Sequence, residues 1–336
     1  MDIFKRSQRK FRSLPRSLAS AIRSLPFERI ENRRSLINNP YLQKRRNGIS
    51  VDSYSELRKS ILHRSLPTKI LQRYPTKEFP LNACAFLVAS STYYILVLTN
   101  NCSTLILFNK DKELYRIDLS HLLISVNDLC WSSNANLFYL GGYSVYTFNP
   151  SKLNLFVIKQ IEIKTGEWIV SITIDKNDLY LLYSSNRTRI ERRSILFNYQ
   201  IDKQWFAKDF LRSKDFLAQC MRVNQANQLG LTIKQKTGQW RIDVFETVDF
   251  KRIIRCVLSD EIIPGMRNCL LMPYEQYWLA IHNCTYPKKI ILIDRNGKIQ
   301  DKLSIDVPNG LINLCLLDNH WIVMICKDKL KLYSLQ

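Results

Sequence analysis

The sequence predicts an all-β fold made of one unit repeated six times, and three observations carry that expectation. From about residue 80 onward the chain is a succession of short runs rich in Ile, Leu, Val, Tyr and Phe, broken every few residues by Asn, Asp, Lys, Ser or Gly. That is the texture of many short strands joined by turns. Two markers then recur with one period. Apolar runs close at Phe108, Phe148, Phe197, Phe245, Ile293 and Tyr333, spaced 40, 49, 48, 48 and 40 residues apart. The runs before them open at Tyr94, Leu137, Leu179, Leu229, Trp278 and Trp321, spaced 43, 42, 50, 49 and 43. Last, the final unit, "LINLCLLDNHWIVMICKDKLKLYSLQ", contains only three such runs.

A period in the forties with four short strands per unit is the signature of a β-propeller, whose blades are small twisted sheets that bury their faces against one another. The expected architecture is therefore six four-stranded blades over residues 69–336. Blade two reads most clearly, as "VNDLCWSS", "NLFYLGG", "VYTFN" and "LNLFVIKQI" separated by turns. A three-stranded last blade would leave the ring open with unpaired edges. Its fourth strand is expected from the segment ahead of blade one, near "TKILQRYP".

Residues 1–68 form a separate, basic extension. Residues 1–80 hold 19 Lys and Arg against 6 Asp and Glu, so most of the formal charge of +21 lies in under a quarter of the chain. Like charge and few apolar residues predict a mostly disordered segment. One short helix is expected near 54–63, where Ser53 stands three residues before Glu56 in a capping-box spacing. The first 27 residues, rich in Arg and Ser, also suit a mitochondrial presequence or a basic amphipathic helix with Leu14, Leu18, Ala21, Ile22 and Leu25 on one face.

"NDLCWSSNANLFYLGGYSVYTFN" resembles a WD repeat, in which an apolar strand ends in an aromatic residue and an acid. "LIDRNGKIQ" and "PNGLINLCLLDNHWIVMI" are similar to the NHL repeats of six-bladed propellers. The Gly-His and Trp-Asp dipeptides of WD repeats are absent, so the resemblance supports a propeller and not a subfamily. It implies a non-enzymatic binding platform.

A rival reading concerns residues 82–100: no charged residue occurs from 79 to 109, and a strongly basic segment precedes them, as in a signal anchor. The apolar stretch is short for a span of about 20 residues and is broken by Ser90, Ser91 and Thr92, where the period requires a turn. A membrane partner is not expected.

The nine cysteines form no Cys-x-x-Cys pair and mostly sit in apolar runs (Cys84, Cys130, Cys220, Cys269, Cys315, Cys326), as reduced core thiols do. They point to an intracellular, cytoplasmic protein, with nucleus or mitochondrion as alternatives through the basic N-terminus. His63, His121, His282 and His320 are scattered, with no nucleophile or metal motif around them, and no Gly-rich phosphate loop is visible. No cofactor, metal or catalytic residue is assigned.

Two function classes follow: a platform that docks an anionic partner, either acidic protein or RNA, or an enzyme whose groups gather from several blades around the channel mouth. For the platform, the loops between second and third strands are expected to form a basic arc on one rim. Its contact residues are Arg187, Arg189, Arg192 and Arg193, then Lys234, Lys236 and Arg241, then Lys288 and Lys289, continued by Lys327 and Lys329. The first-to-second-strand turns of the opposite rim hold Asp175, Asp178, Glu275 and Asp318 against Lys176.

Overall fold

The computed structural model describes residues 66–335, apart from 82, 100–103, 121–124, 185–187, 259–268, 284–286, 307–311 and 327. The expected helix near 54–63 and residues 1–65 of the extension expected to be disordered over 1–68 lie outside the described residues; its last residues, 66–68, instead lead into a helix in which Thr68 is buried. The described chain opens with α1 (Pro67–Leu71) and β1 (Lys77–Pro80). Blade one is β2 (Ala85–Ser90), β3 (Ile95–Thr99), β4 (Thr104–Phe108) and β5 (Glu113–Asp118). Blade two is β6 (Val126–Ser132), β7 (Leu137–Gly142), β8 (Val145–Asn149) and β9 (Asn154–Val157). Blade three is β10 (Trp168–Asp175), β11 (Asp178–Ser184), β12 (Arg189–Ser194) and β13 (Gln200–Phe206), followed by the one-turn α2 (Ala207–Phe210).

Blade four is β14 (Asp215–Val223), β15 (Gln228–Gln235), β16 (Trp240–Glu246) and β17 (Arg252–Val257). Blade five is β18 (Cys269–Tyr274), β19 (Tyr277–His282), β20 (Lys288–Ile293) and β21 (Ile299–Ile305). Blade six is β22 (Ile312–Leu317), β23 (Trp321–Cys326) and β24 (Lys329–Ser334), with β1 as its outer strand. Every described sheet is antiparallel and four-stranded. The six-bladed propeller expected from the sequence is the fold.

Ring closure takes the expected form at a slightly different place. β1 pairs with β24 from Lys77↔Leu332 to Pro80↔Lys329. The "TKILQRYP" stretch itself is α1 and a turn, because Pro67 fits the first helical turn and sets up only five helical residues. The apolar stretch once readable as a membrane anchor is the β2–β3 hairpin of blade one, paired from Ala85↔Thr99 to Ser90↔Ile95.

Two-sided burial explains why the inner strands read as continuous apolar runs. Along β19, Trp278 and Ala280 pack toward blade four, while Leu279 and Ile281 pack toward blade six. Six hydrophobic clusters result, one in each junction between neighbouring blades. Blades share no ladder, so side chains stitch the inner strands together. Asn127 Nδ2 donates to the Ile169 carbonyl at 2.8 Å, Ser171 Oγ accepts from the Met221 N–H at 2.9 Å, and Thr232 Oγ1 donates to the Cys269 carbonyl at 2.8 Å. Asn283 and Ile312 exchange two bonds of 2.9 Å, and Ser90 Oγ donates to the Leu316 carbonyl across the closing junction. All seven described cysteines are free thiols; of the six expected in the core, Cys130, Cys220, Cys269 and Cys326 are buried, Cys315 is half-buried, and Cys84 is exposed in the connection after β1.

One glycine is dictated by a close approach. A Cβ on Gly142, at the end of β7, would lie 1.7 Å from the Ser125 carbonyl oxygen, which is backbone and cannot step aside. Gly142→Ala should therefore lower the melting temperature by several degrees, as strain in the core does. Calorimetry of that variant checks it; unchanged melting would mean that the β6–β7 entry relaxes freely.

Candidate functional site: the two rims and the channel mouth

Blade three departs most from its sequence reading. Its third strand is "RIERRS", so Arg189, Arg192 and Arg193 stand in β12 and not in a loop, and Arg193 lies opposite Leu179. That slot holds Phe108 opposite Ile95 in blade one and Phe245 opposite Leu229 in blade four. Phe197, expected to end the strand, sits instead in the turn to β13. Charge pairing inside the blade is the reason. Arg189 contacts Glu167 at 2.9 Å and Glu191 at 2.8 Å and covers the Tyr183 ring at 4.0 Å, while Arg193 contacts Glu191 at 2.7 Å. Arg192 turns outward to Asp202, its Nε at 2.6 Å.

The rest of the expected arc is also largely spent within the fold. Arg241 is buried in β16 against Asp215 and Asp243, and Asp243 also receives Arg252 and Arg255 at 2.9 and 3.0 Å. Lys234 is buried over the Trp240 ring, Lys288 is buried at the start of β20, and Lys289 is half-buried beside it. Lys329 pairs with Glu78 of β1 at 2.5 Å. Lys236 is the described member of the nine expected contacts that stands exposed in a turn; Arg187, like Lys327 further along the arc, lies outside the described residues. The expected loop placement therefore fails, because inward-facing cations with buried carboxylate partners are part of the blade cores.

These pairs set an acid limit on stability. Burial pushes the Glu191 carboxyl up, but bonds from Arg189 and Arg193 outweigh it and hold the group below its ordinary value of 4.5. Asp215 behaves likewise: burial raises it, and Arg241 with the Arg212 N–H holds it below 3.8. A depressed folded-state value contributes stability above the unfolded value that is lost as pH falls. The melting temperature should hold above about pH 5 and fall progressively below it. Glu191→Gln should lower the neutral-pH plateau and flatten that fall, readable by thermal denaturation across pH 3 to 7. An unchanged acid slope would assign it to other carboxylates.

The innermost strands of all six blades surround an axial cavity of about 470 Å³ at the rim of the first-to-second-strand turns. Among its lining residues, Glu275 is the one carboxylate, and histidine is absent. Arg222 points into it but is held by Asp128 through two bonds of 2.6 and 2.7 Å. Ser171 Oγ donates to Asp128 at 2.5 Å, and the Ile172 N–H does so at 3.0 Å. Two thiols border the cavity; burial pushes Cys315 up to about 12 and raises Cys130 as well, so both stay protonated at neutral pH. No group of His, Cys, Asp and Glu arranged to hold a metal occurs among the described residues. The acidic turns expected on this rim are where the sequence places them, at β10–β11, β18–β19 and β22–β23.

Sequence reasoning missed the exposed apolar residues on the same rim. Leu153, Leu196, Phe197 and Val248 occupy third-to-fourth-strand turns of blades two, three and four. The available signal was an apolar residue inside an otherwise polar turn, as in "NPSKLN".

No family model matches the sequence, and no curated protein matches it. Among solved structures, the chain is similar to one from "Crystal Structure of Mitotic Checkpoint Complex", with a TM-score of 0.54 and 10% identity over 78% of this chain and 93% of that one. The likeness is one of fold. In all, 1019 solved chains match, so the fold alone selects no function.

Proposed function

We propose that the protein is a non-enzymatic platform that docks another protein on a propeller rim, with the basic N-terminal segment adding electrostatic affinity. One observation carries this reading: Arg189, Arg193 and Arg241 of the expected basic arc are spent on internal ion pairs, while large apolar side chains stand exposed on the turns of the opposite rim. A phosphate-reading surface needs free, clustered cations. A protein interface is instead built around exposed aromatic and aliphatic anchors. The likeness of blade two to a WD repeat is in keeping with this reading.

Full-length protein and a variant lacking residues 1–60 should be titrated with single-stranded RNA at several salt concentrations. RNA binding, where seen, should be steeply salt-dependent and disappear with residues 1–60. Undiminished RNA binding by the truncated protein would overturn the protein-platform reading and restore the RNA one.

A further inference from the structure

The third-to-fourth-strand turns of blades two, three and four expose Leu153, Leu196, Phe197 and Val248, at 39%, 69%, 70% and 71% of their surfaces. The same turns of blades one and five, residues 109–112 and 294–298, contain no large apolar residue. The tips are held firmly. The Tyr199 hydroxyl meets that of Tyr139 in blade two at 3.2 Å, and Phe250 stacks between Phe245 and Trp205 at 4.5 and 4.4 Å. Lys203 Nζ in blade three donates to the Val248 carbonyl of blade four at 2.8 Å.

The backbone at these turns departs from ordinary preference. A residue one or two positions before the fourth strand has positive φ in blades two to five: Leu153 (52°), Tyr199 (61°), Phe250 (58°) and Gly297 (80°). Glycine suits that conformation, and a branched or bulky side chain is strained there. Tyr199 and Phe250 have a fold reason, since both turn inward onto the neighbouring blade. Leu153 has none: it is exposed and belongs to no hydrophobic cluster among the described residues. A strained, outward-facing leucine fits a contact outside the fold.

Charge identifies the partner class. On this rim, the turns and strand ends of blades two to four carry four cations (Lys152, Lys176, Lys251, Arg252) against four carboxylates (Asp175, Asp178, Glu246, Asp249), and Lys203 joins them at the Val248 carbonyl, a near-neutral surface in a chain whose net charge is +21. Such a surface lacks the positive potential that anionic lipid or nucleic acid requires. A second copy would double the net charge of the assembly from +21 to +42, a self-repulsion that disfavours pairing of like chains. Few charges around apolar anchors suit a different protein. We infer that this arc docks a partner protein whose matching face is apolar and nearly uncharged, with Phe197 and Leu153 as anchors. The inference rests on the platform reading and gives it a location.

The test uses the full chain in cells that produce it, with photoreactive benzoylphenylalanine replacing Leu153, Phe197 or Val248. Controls carry it at Lys110 or Arg295, in the same turns of blades one and five, or at Lys236 on the opposite rim. The arc predicts one and the same protein attached from all three positions and from neither Lys110 nor Arg295. Phe197→Asp should reduce attachment from position 248 about tenfold, the scale of losing one interface anchor. Leu153→Gly should melt no lower than the parent while weakening attachment from position 197. Attachment of lipid, nucleic acid or a second copy would overturn the inference, as would a lower melting temperature for Leu153→Gly, which would make that leucine structural. Attachment from Lys236 alone would refute the arc but leave the platform standing. Attachment from none of these positions would refute both.

Discussion

Asp128→Ala is expected to destabilise the propeller by about 3–5 kcal/mol, the cost of leaving a buried charge without its partner. Asp128 sits on the inner strand of blade two and is buried. Its carboxylate accepts two bonds from Arg222 of blade four and one each from the Ser171 hydroxyl and Ile172 N–H of blade three. One residue thus joins three blades beside the channel, where no backbone ladder crosses. Removing it strands the Arg222 guanidinium and leaves the Ile172 N–H without that acceptor. Chemical denaturation measures the loss directly, and the melting temperature should fall by about 10 °C, at roughly 2–4 °C per kcal/mol for a domain near this size. The double variant Asp128→Leu with Arg222→Met separates charge from shape. Replacing both partners with apolar groups removes the desolvation cost as well as the attraction, so it should recover most of the stability. A double variant as unstable as the single one would show that hydrogen-bond geometry, and not an orphaned charge, sets the loss.

The contrast between blades two and three explains what the sequence could and could not convey. Blade two was legible strand by strand because apolar residues fill its second and third strands, and "LFYLGG" and "VYTFN" end where the turns begin. In β12 the inward positions are Arg189, Glu191 and Arg193, which satisfy one another. A rule that assigns charged runs to loops therefore moves the strand onto "SILFN" and turns the core residues Arg189 and Arg193 into binding-site residues. The same substitution of ion pairs for apolar contacts hides Arg241 and Asp243 in β16. Pairing between residues as distant as Asp215 and Arg241 leaves no local signature, so only the fold reveals it. The candidate docking arc was obscured for the opposite reason: Leu153 and Val248 lie in turns, where apolar residues carry no periodicity to read. The period did convey that the ring needed a strand from before blade one, because counting three strands in the last unit requires no knowledge of contacts.

That closure gives the second large effect: deleting residues 1–80 should lower the melting temperature by about 10 °C or more, whereas deleting 1–60 should leave it nearly unchanged. β1 is only four residues long, but it covers the edge of β24 and brings Phe79 against the Phe108 ring of blade one at 5.7 Å. Its charges tie both neighbours, Glu78 to Lys329 and Lys331 of blade six and Lys77 to Asp111 of blade one. Ahead of it, α1 seals the outer cleft between blades five and six. Ile70 and Leu71 join the cluster there, and Thr68 Oγ1 donates to Asp301 at 2.5 Å. Fully burying such a side chain contributes about 1.5–3 kcal/mol, so the buried Ile70 and Leu71, with the partly buried Phe79, together exceed the usual cost of a single core substitution. Exposed ion pairs add little. The longer deletion also bares the backbone groups of β24 as a free edge, which invites pairing with other chains. It should therefore aggregate on heating, and a synthetic peptide spanning residues 66–82 should raise its melting temperature in a concentration-dependent way. Equal melting of the two deletions, or no response to the peptide, would mean that blade six stands on three strands and that the ring closes without β1.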